Sequence, residues 1–316
     1  MTSSPSIVFF QDDLQMKDNP ALAAAAHRGN PLICLFVWNP NASGYAKAGA
    51  ASRWWLHHSL HTLAANLAKA GNTLILRIRH APEVIAGLVR QLGISHLYWN
   101  RPCEPTALEE EQKILKFLES EHPRATLFHA NTLVDPSSVQ TQAGQPYSVF
   151  TPFWKRFQTY FTIEPPLQIP LNFPSPPSVK VQTNPLSSLE LLPSFDWAHG
   201  LRKAWTPGED GAQTFLRKFL HALAQIYETE RNRPVAGNGS LDAEVTRLSS
   251  SESSIRLCKV GNSIRMERTW AAGFRNSPTS HMHGFTHPGK LLRLCYRTSV
   301  LQETDVELGK HIPSQL

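Results

Sequence analysis

Three histidines, His57, His58 and His61, fall within five positions of one another. Residues four apart share a face of a helix, which is the spacing a pair of metal-binding imidazoles uses. No third ligand lies close by in the chain, so these read as packing or surface histidines. His281, His283 and His287 form a second histidine-rich tract with metal-like spacing, in a part of the chain whose coding frame is questioned below. The four cysteines, Cys34, Cys103, Cys258 and Cys295, are widely spread without a C-x-x-C pair. That spacing argues against a zinc site or a disulfide framework and fits reduced thiols in the cytosol. No metal site and no catalytic residue are assigned. Ligand-type chemistry is instead suggested by Phe36, Trp38 and Asn39, which close one apolar run, and by Glu104, which follows another. Aromatic faces, an amide and a carboxylate at strand ends are what an open α/β sheet offers a bound molecule. Strand-end aromatics also serve as rim packing, and both readings of Phe36 and Trp38 stay open.

The elements that would position these residues lie in the first 130 positions. Apolar runs at Ile7–Phe10, Leu32–Trp38, Thr73–Leu76, His96–Trp99 and Ala125–Phe128 read as strands. Their near-continuous hydrophobicity is what a sheet covered on both faces requires. Helical stretches alternate with them at Pro20–Arg28, Ala51–Ala70, Pro82–Leu92 and Pro105–Glu119. In the second of these, Trp55, Leu56, Leu60, Leu63 and Leu67 recur at helical spacing and Gly71 follows as a stop. The alternation predicts an α/β fold, a doubly wound, Rossmann-like parallel sheet. Ligands of such sheets sit beyond the carboxyl ends of the strands, where the strand order reverses.

Residues 163–200 carry eight prolines, and such a stretch predicts a semi-rigid connector and a domain boundary. Residues 206–232 then read as a helix, with Thr206-Pro207-Gly208-Glu209 as a capping-box start and Phe215, Leu216, Phe219, Leu220, Leu223 and Ile226 as its apolar stripe. After about Gly237 the apolar residues lose any period of 2.0 or 3.6, and serine clusters appear at 249–251 and 253–254. The expectation for that stretch is disorder or a frame that selection has not shaped. The net charge of +6 is compatible with a nucleic-acid partner but does not require one. No apolar run is long enough to cross a membrane and no signal peptide is read at the N-terminus, so a cytoplasmic protein is expected.

Five segments, in order, resemble the cryptochrome/DNA photolyase family. Phe9-Phe10-Gln11-Asp12-Asp13-Leu14-Gln15 with Asp18-Asn19-Pro20-Ala21-Leu22 is similar to the family's opening W-F-R-x-D-L-R-x-x-D-N-P-A-L. Ala51–Leu60 resembles its second helix, and Trp99-Asn100-Arg101-Pro102-Cys103-Glu104-Pro105 its W-N-R-x-Y-E-P strand end. Gly144–Trp154 and Trp205–Ala212 match G-x-P-Y-x-V-F-T-P-F-W and W-T-P-G-E-x-G-A. The resemblance implies a flavoenzyme with an α/β domain that binds a light-harvesting antenna, a folate or a deazaflavin. It also implies a helical domain that holds FAD and binds damaged DNA. Excited reduced flavin passes an electron to a cyclobutane pyrimidine dimer flipped out of the duplex. By resemblance Phe36, Trp38, Asn39 and Glu104 flank the antenna pocket, and Tyr227 lines the flavin cradle. The family's two opening arginines are Gln11 and Gln15 here, with Asp12 beside the first, and its tyrosine is Cys103. An acidic Asp12 repels an anionic antenna tail, so a different antenna, or none, is compatible with these departures. The first half leaves open a cryptochrome-type photoreceptor, or a non-catalytic antenna- or nucleotide-binding remnant.

The implied organisation is an α/β antenna-binding domain at 5–135, a connecting segment and proline-rich linker at 136–205, the start of an otherwise incomplete helical FAD-binding domain at 206–237, and a non-family tail at 238–316. Gly237-Asn238-Gly239-Ser240-Leu241 is similar to the start of the family's phosphate-cradling G-T-S-x-L-S loop, yet nothing recognisable follows. Read one nucleotide later, the codons of Gly273–His281 permit D-F-A-T-H-L-L-H preceded by G-x-R, which resembles the family's G-W-R-[DE]-F-[AS]-x-H-L-L helix apart from its tryptophan. A small insertion or deletion near codons 238–242 accounts for this. A chain interrupted there is expected to be an inactive photolyase relative that holds no stoichiometric FAD.

Overall fold

The computed structural model describes residues 4–41, 48–102, 104–121, 123–130, 138–160, 166–169 and 173–218. These divide into two compact units, one holding the described residues up to Ala130 together with those from 167 to 213, the other those from 138 to 166 and from 214 to 218.

In the first unit five strands, β1 (Ser6–Phe10), β2 (Leu32–Trp38), β3 (Leu74–Ile78), β4 (His96–Asn100) and β5 (Arg124–Phe128), alternate with four helices, α1 (Pro20–Arg28), α2 (Ala50–Lys69), α3 (Ala81–Leu92) and α4 (Pro105–Glu121). The strands form one sheet in the order β3-β2-β1-β4-β5, and every pair is parallel. Alternate side chains of one strand point to opposite faces, and β2 makes the consequence plain. Leu32, Cys34 and Phe36 enter a core with α1 and α2, while Ile33 and Leu35 enter a second core with α3 and α4. This explains why β2 is apolar throughout.

The helix ends follow from local chemistry. Asn19 caps α1 by accepting from the Leu22 amide at 3.0 Å, and Pro20 opens the helix where a missing N–H costs nothing. Gly29, at φ +74°, closes it.

The proline-rich stretch does not lie apart from the sheet. Leu32 N donates to Ser175 O, Asn184 N donates to Leu76 O, and Leu76 N donates to Thr183 Oγ1, each at 2.9 Å. The stretch therefore bonds to edge strand β3 and satisfies backbone groups that an open edge would leave exposed. Leu189 and Leu191 are buried in the α1/α2 core, and a 3₁₀ turn spans Leu186–Leu189. Proline content pointed to a connector and a boundary, but anchoring here rests on single hydrogen bonds and two leucines without a period. Two short helices complete the described chain on this side: α6 (His199–Ala204), and α7 (Glu209–Lys218), which begins in this unit. Sequence periodicity extended the last helix from 206 to 232; its described part starts at Glu209, and residues beyond Lys218 lie outside the described ones.

In the second unit a short turn pairs Gln140 with Pro146, and α5 (Phe150–Tyr160) carries an aromatic row. Phe150 stacks on Trp154 with ring centroids 6.0 Å apart, and Trp154 on Phe157 at 5.3 Å. Among the described residues no helix is long and apolar enough to cross a membrane.

At the amino end of the sheet His96 is buried beside Ser6 and Arg124 in the strand register. Burial, then the nearby cations Arg28 and Arg124, push its imidazole below the usual histidine range. The folded state therefore resists a proton that the unfolded chain takes up at about pH 6.5. Stability should fall as pH drops below about 6.5 and level off beneath the lowered folded value. Urea midpoints between pH 7.5 and 5.5 should show a smaller loss for His96→Gln than for the parent; equal losses would refute the assignment.

Candidate ligand crevice at the switch point

The strand order reverses between β1 and β4, so the crevice of this sheet lies beyond Phe10 and Asn100. The segment from Gln11 to Asn19, here called the strap, joins β1 to α1 across that point. Its central feature is Asp13, a buried carboxylate among neutral partners. Its Oδ2 accepts from Asn100 Nδ2 at 2.5 Å and from Asn19 Nδ2 at 3.3 Å. Its Oδ1 accepts from the Gln11 amide at 2.9 Å. Asn100 Nδ2 also donates to Asn19 Oδ1 at 2.8 Å, and Asn100 Oδ1 accepts from the Ala21 amide at 3.3 Å. Burial pushes the Asp13 carboxyl above the usual carboxylate range, and the donors from Gln11 and Asn100 oppose that shift.

The strap is held from two further directions. Asp18, at φ +49°, donates its amide to Leu167 O at 2.8 Å and accepts from Leu167 N through Oδ1 at 3.0 Å. The Glu209 carboxylate accepts from the amides of Met16 and Lys17, each at 3.0 Å. Glu209 is buried, and burial raises its carboxyl above the usual range. Sequence reasoning had read Glu209 as the return half of a capping box with Thr206. The helix instead starts from Gly208, whose carbonyl accepts from the Ala212 amide at 3.1 Å, and the carboxylate faces the strap.

The four residues expected at an antenna pocket all stand at the carboxyl edge of the sheet. Phe36 is 5% exposed and packs in the α1/α2 core beside Phe10 and Leu76. Trp38, half-buried, closes β2. Asn39 pairs its Nδ2 with His80 Nδ1 at 3.2 Å and accepts from the Asn41 amide at 3.1 Å. Glu104 is half-buried ahead of α4, where its carbonyl accepts from the Leu108 amide at 3.0 Å. β1 separates β2 from β4, so the two groups stand about two strand spacings, roughly 10 Å, apart. Below them a second buried carboxylate, Glu111, accepts from Trp99 Nε1 at 2.9 Å and from Arg101 Nε and Nη2 at 3.0 and 2.8 Å. Trp38, Asn39 and Glu104 suit a polar heterocycle, offering an aromatic surface, an amide and a carboxylate; Phe36 supports them from the core.

His57 and His58 lie on α2, with His58 edge-on to Trp54 at 4.6 Å. Burial and neighbouring histidines push both imidazoles below the usual range. Among the described residues no group of three histidine, cysteine or acidic side chains could hold a metal. Tyr227, Cys103, the His281–His287 tract and everything expected of 238–316 lie outside the described residues.

The family model for DNA photolyase matches residues 6–174. The chain belongs to the DNA photolyase family. It is 34% identical over 242 residues to a deoxyribodipyrimidine photo-lyase of Agrobacterium fabrum, covering 76% of this chain and 50% of that one. It is 32% identical over 271 residues to cryptochrome-1 of Arabidopsis thaliana, covering 84% and 39%. The crystal structure of a bacterial class III photolyase from Agrobacterium tumefaciens superposes with a TM-score of 0.74 at 29% identity, over 96% of this chain and 60% of that one. The chain thus spans about half the length of the curated relatives it matches. Within the photolyase family's opening motif, Asp13, Asn19 and the later Asn100 act as one hydrogen-bonded unit. Their three separate positions gave no hint of this in the sequence, beyond Asn19 preceding Pro20 as a helix cap does.

Removing one member should leave buried polar groups of the others short of a partner. Asn100→Ala is expected to cost about 1.5–3 kcal/mol, the range for hydrogen bonds to a charged group. Asp13→Asn, which turns an amide donor toward other donors, should cost about 1–3 kcal/mol. Urea unfolding measures both; losses below about 0.5 kcal/mol, the scale of ordinary surface changes, would contradict the network.

Proposed function

We propose that this chain carries the light-collecting α/β part of a deoxyribodipyrimidine photolyase, the class of flavoenzyme that splits cyclobutane pyrimidine dimers in DNA under blue light. The observation that carries the reading is the bond from Glu209 to Met16 and Lys17. It joins the photolyase-like opening segment to the photolyase-like Trp205–Ala212 segment, as one architecture rather than two separate likenesses.

Trp38, Asn39 and Glu104 would hold a folate or deazaflavin antenna, with Phe36 behind Trp38. When bound, the pigment supplies light absorption and energy transfer; the side chains orient it and keep its edge from water. Gln11 and Gln15 leave the strap without the cations of the family's opening motif, so a pigment with a short or uncharged tail fits best. FAD is the family's second group, and Tyr227 is the residue that resemblance assigns to it. The family-like pattern lapses after Gly237 in this reading frame, so we propose that this chain alone holds no stoichiometric flavin and performs no repair.

Titration of the purified chain with methenyltetrahydrofolate and with a deazaflavin should give saturable binding of one of them, weakened roughly two- to tenfold by Trp38→Ala, the loss of one aromatic stacking contact. Binding of neither would end the antenna reading. A gene with the frame restored at codons 238–242 is expected to give a protein that binds flavin and repairs thymine dimers in blue light. Flavin binding without repair would favour a cryptochrome-type photoreceptor instead.

A further inference from the structure

We propose that Glu209 is a positioning residue that latches the strap over the switch point, making the strap and the first turn of α7 a single opening unit. This goes beyond the antenna reading and depends on no ligand.

Three consecutive strap amides donate to acceptors far along the chain: Met16 and Lys17 to Glu209, and Asp18 to Leu167. Met16 and Asp18 are buried. A buried amide without an acceptor is costly, so the strap keeps this conformation only while Glu209 is in reach. The turn ahead of α7 is shaped to bring it there. Gly208 holds φ +95°, and a Cβ on it would stand 2.7 Å from Thr62 Oγ1. A Cβ on Gly211 would stand 1.8 Å from the Thr206 carbonyl oxygen, which no side chain tolerates. Two glycines on either side of one acid therefore have a joint explanation: they allow α7 to start close enough for its first carboxylate to meet two amides of another segment. The acid does not cap its own helix, since Gly208 supplies that start.

Glutamine separates this role from space filling. It matches glutamate in volume, but only its oxygen accepts, and its NH2 would face one of the two amide donors. Hydrogen exchange of the full chain should show the amides of 14–18 exchanging roughly tenfold or more faster in both Glu209→Gln and Glu209→Ala, with the β2 amides unchanged. Protection in Glu209→Gln equal to the parent would overturn the proposal. The unmodified chain gives a second reading should both variants fail to fold. With increasing urea, amides 14–18 and those of the first turn of α7 should open along one shared curve. Separate curves would overturn the latch as well.

Discussion

A carboxylate buried away from water with no cation beside it must be surrounded by donors, and the switch point of this sheet is organised around that requirement. Asp13 has three such donors, from Gln11, Asn19 and Asn100. Two of these also have a structural duty elsewhere. Asn19 caps α1, and Asn100 ends β4 while accepting from the amide of Ala21. The end of β1, the start of α1 and the end of β4 are therefore mutually fixed. In an open parallel sheet these are the elements that border the ligand crevice, so its rim is set before any ligand contributes.

The neutral residues at two positions sharpen this account. Where the related opening motif has arginines, this chain has Gln11 and Gln15. Gln15 is buried, and its backbone carbonyl accepts from Asn19 Nδ2 at 3.1 Å. Among the described residues the bonds to Asp13 come from amides, and burial holds its carboxyl above the ordinary range. Glu111 is the contrasting case: it is as deeply buried, yet Arg101 reaches it through two nitrogens. One acid is stabilised by a cation and the other by amides, and their partners Arg101 and Asn100 are neighbours at the end of β4. Amides from the strap and from the end of β4 fix Asp13 from several directions at once, which suits the place where those segments must meet.

Much of the fold was legible in the sequence because each strand and helix of the sheet carries its own signal. The bounds of β2 and α1 follow from seven continuous apolar residues and from an Asn-Pro start with a glycine stop. The contribution of residues 173–213 to the same unit was not legible. Two buried leucines, a valine against the opposite core and a few backbone bonds to β3 have no period to detect. The place of Trp38, Asn39 and Glu104 at strand ends was legible through topology, since strand ends can be counted. The role of Glu209 escaped the same reasoning because its partners are backbone amides, and amides are present at every position whatever the side chain.

This last point bears on why the motifs of the family identify an architecture more readily than a reaction. Asp13, Asn19, Gly208, Glu209 and Gly211 account for some of the letters that the opening and Trp205–Ala212 segments share with the family motifs, and Asn100 for one at the strand end, through the backbone they hold in place. A photoreceptor and a repair enzyme built on this sheet need that scaffold equally. The likeness to both a photo-lyase and a cryptochrome at about one third identity is the outcome such constraints produce. Chemistry that separates the two must then depend on side chains free of scaffold duty. On the carboxyl edge Trp38, Asn39 and Glu104 are half-buried, each with bonds of its own to neighbouring backbone or side chains. A scaffold held by backbone bonds can carry different sites while its fold stays fixed, which is why likeness in these segments speaks for the fold before it speaks for a reaction.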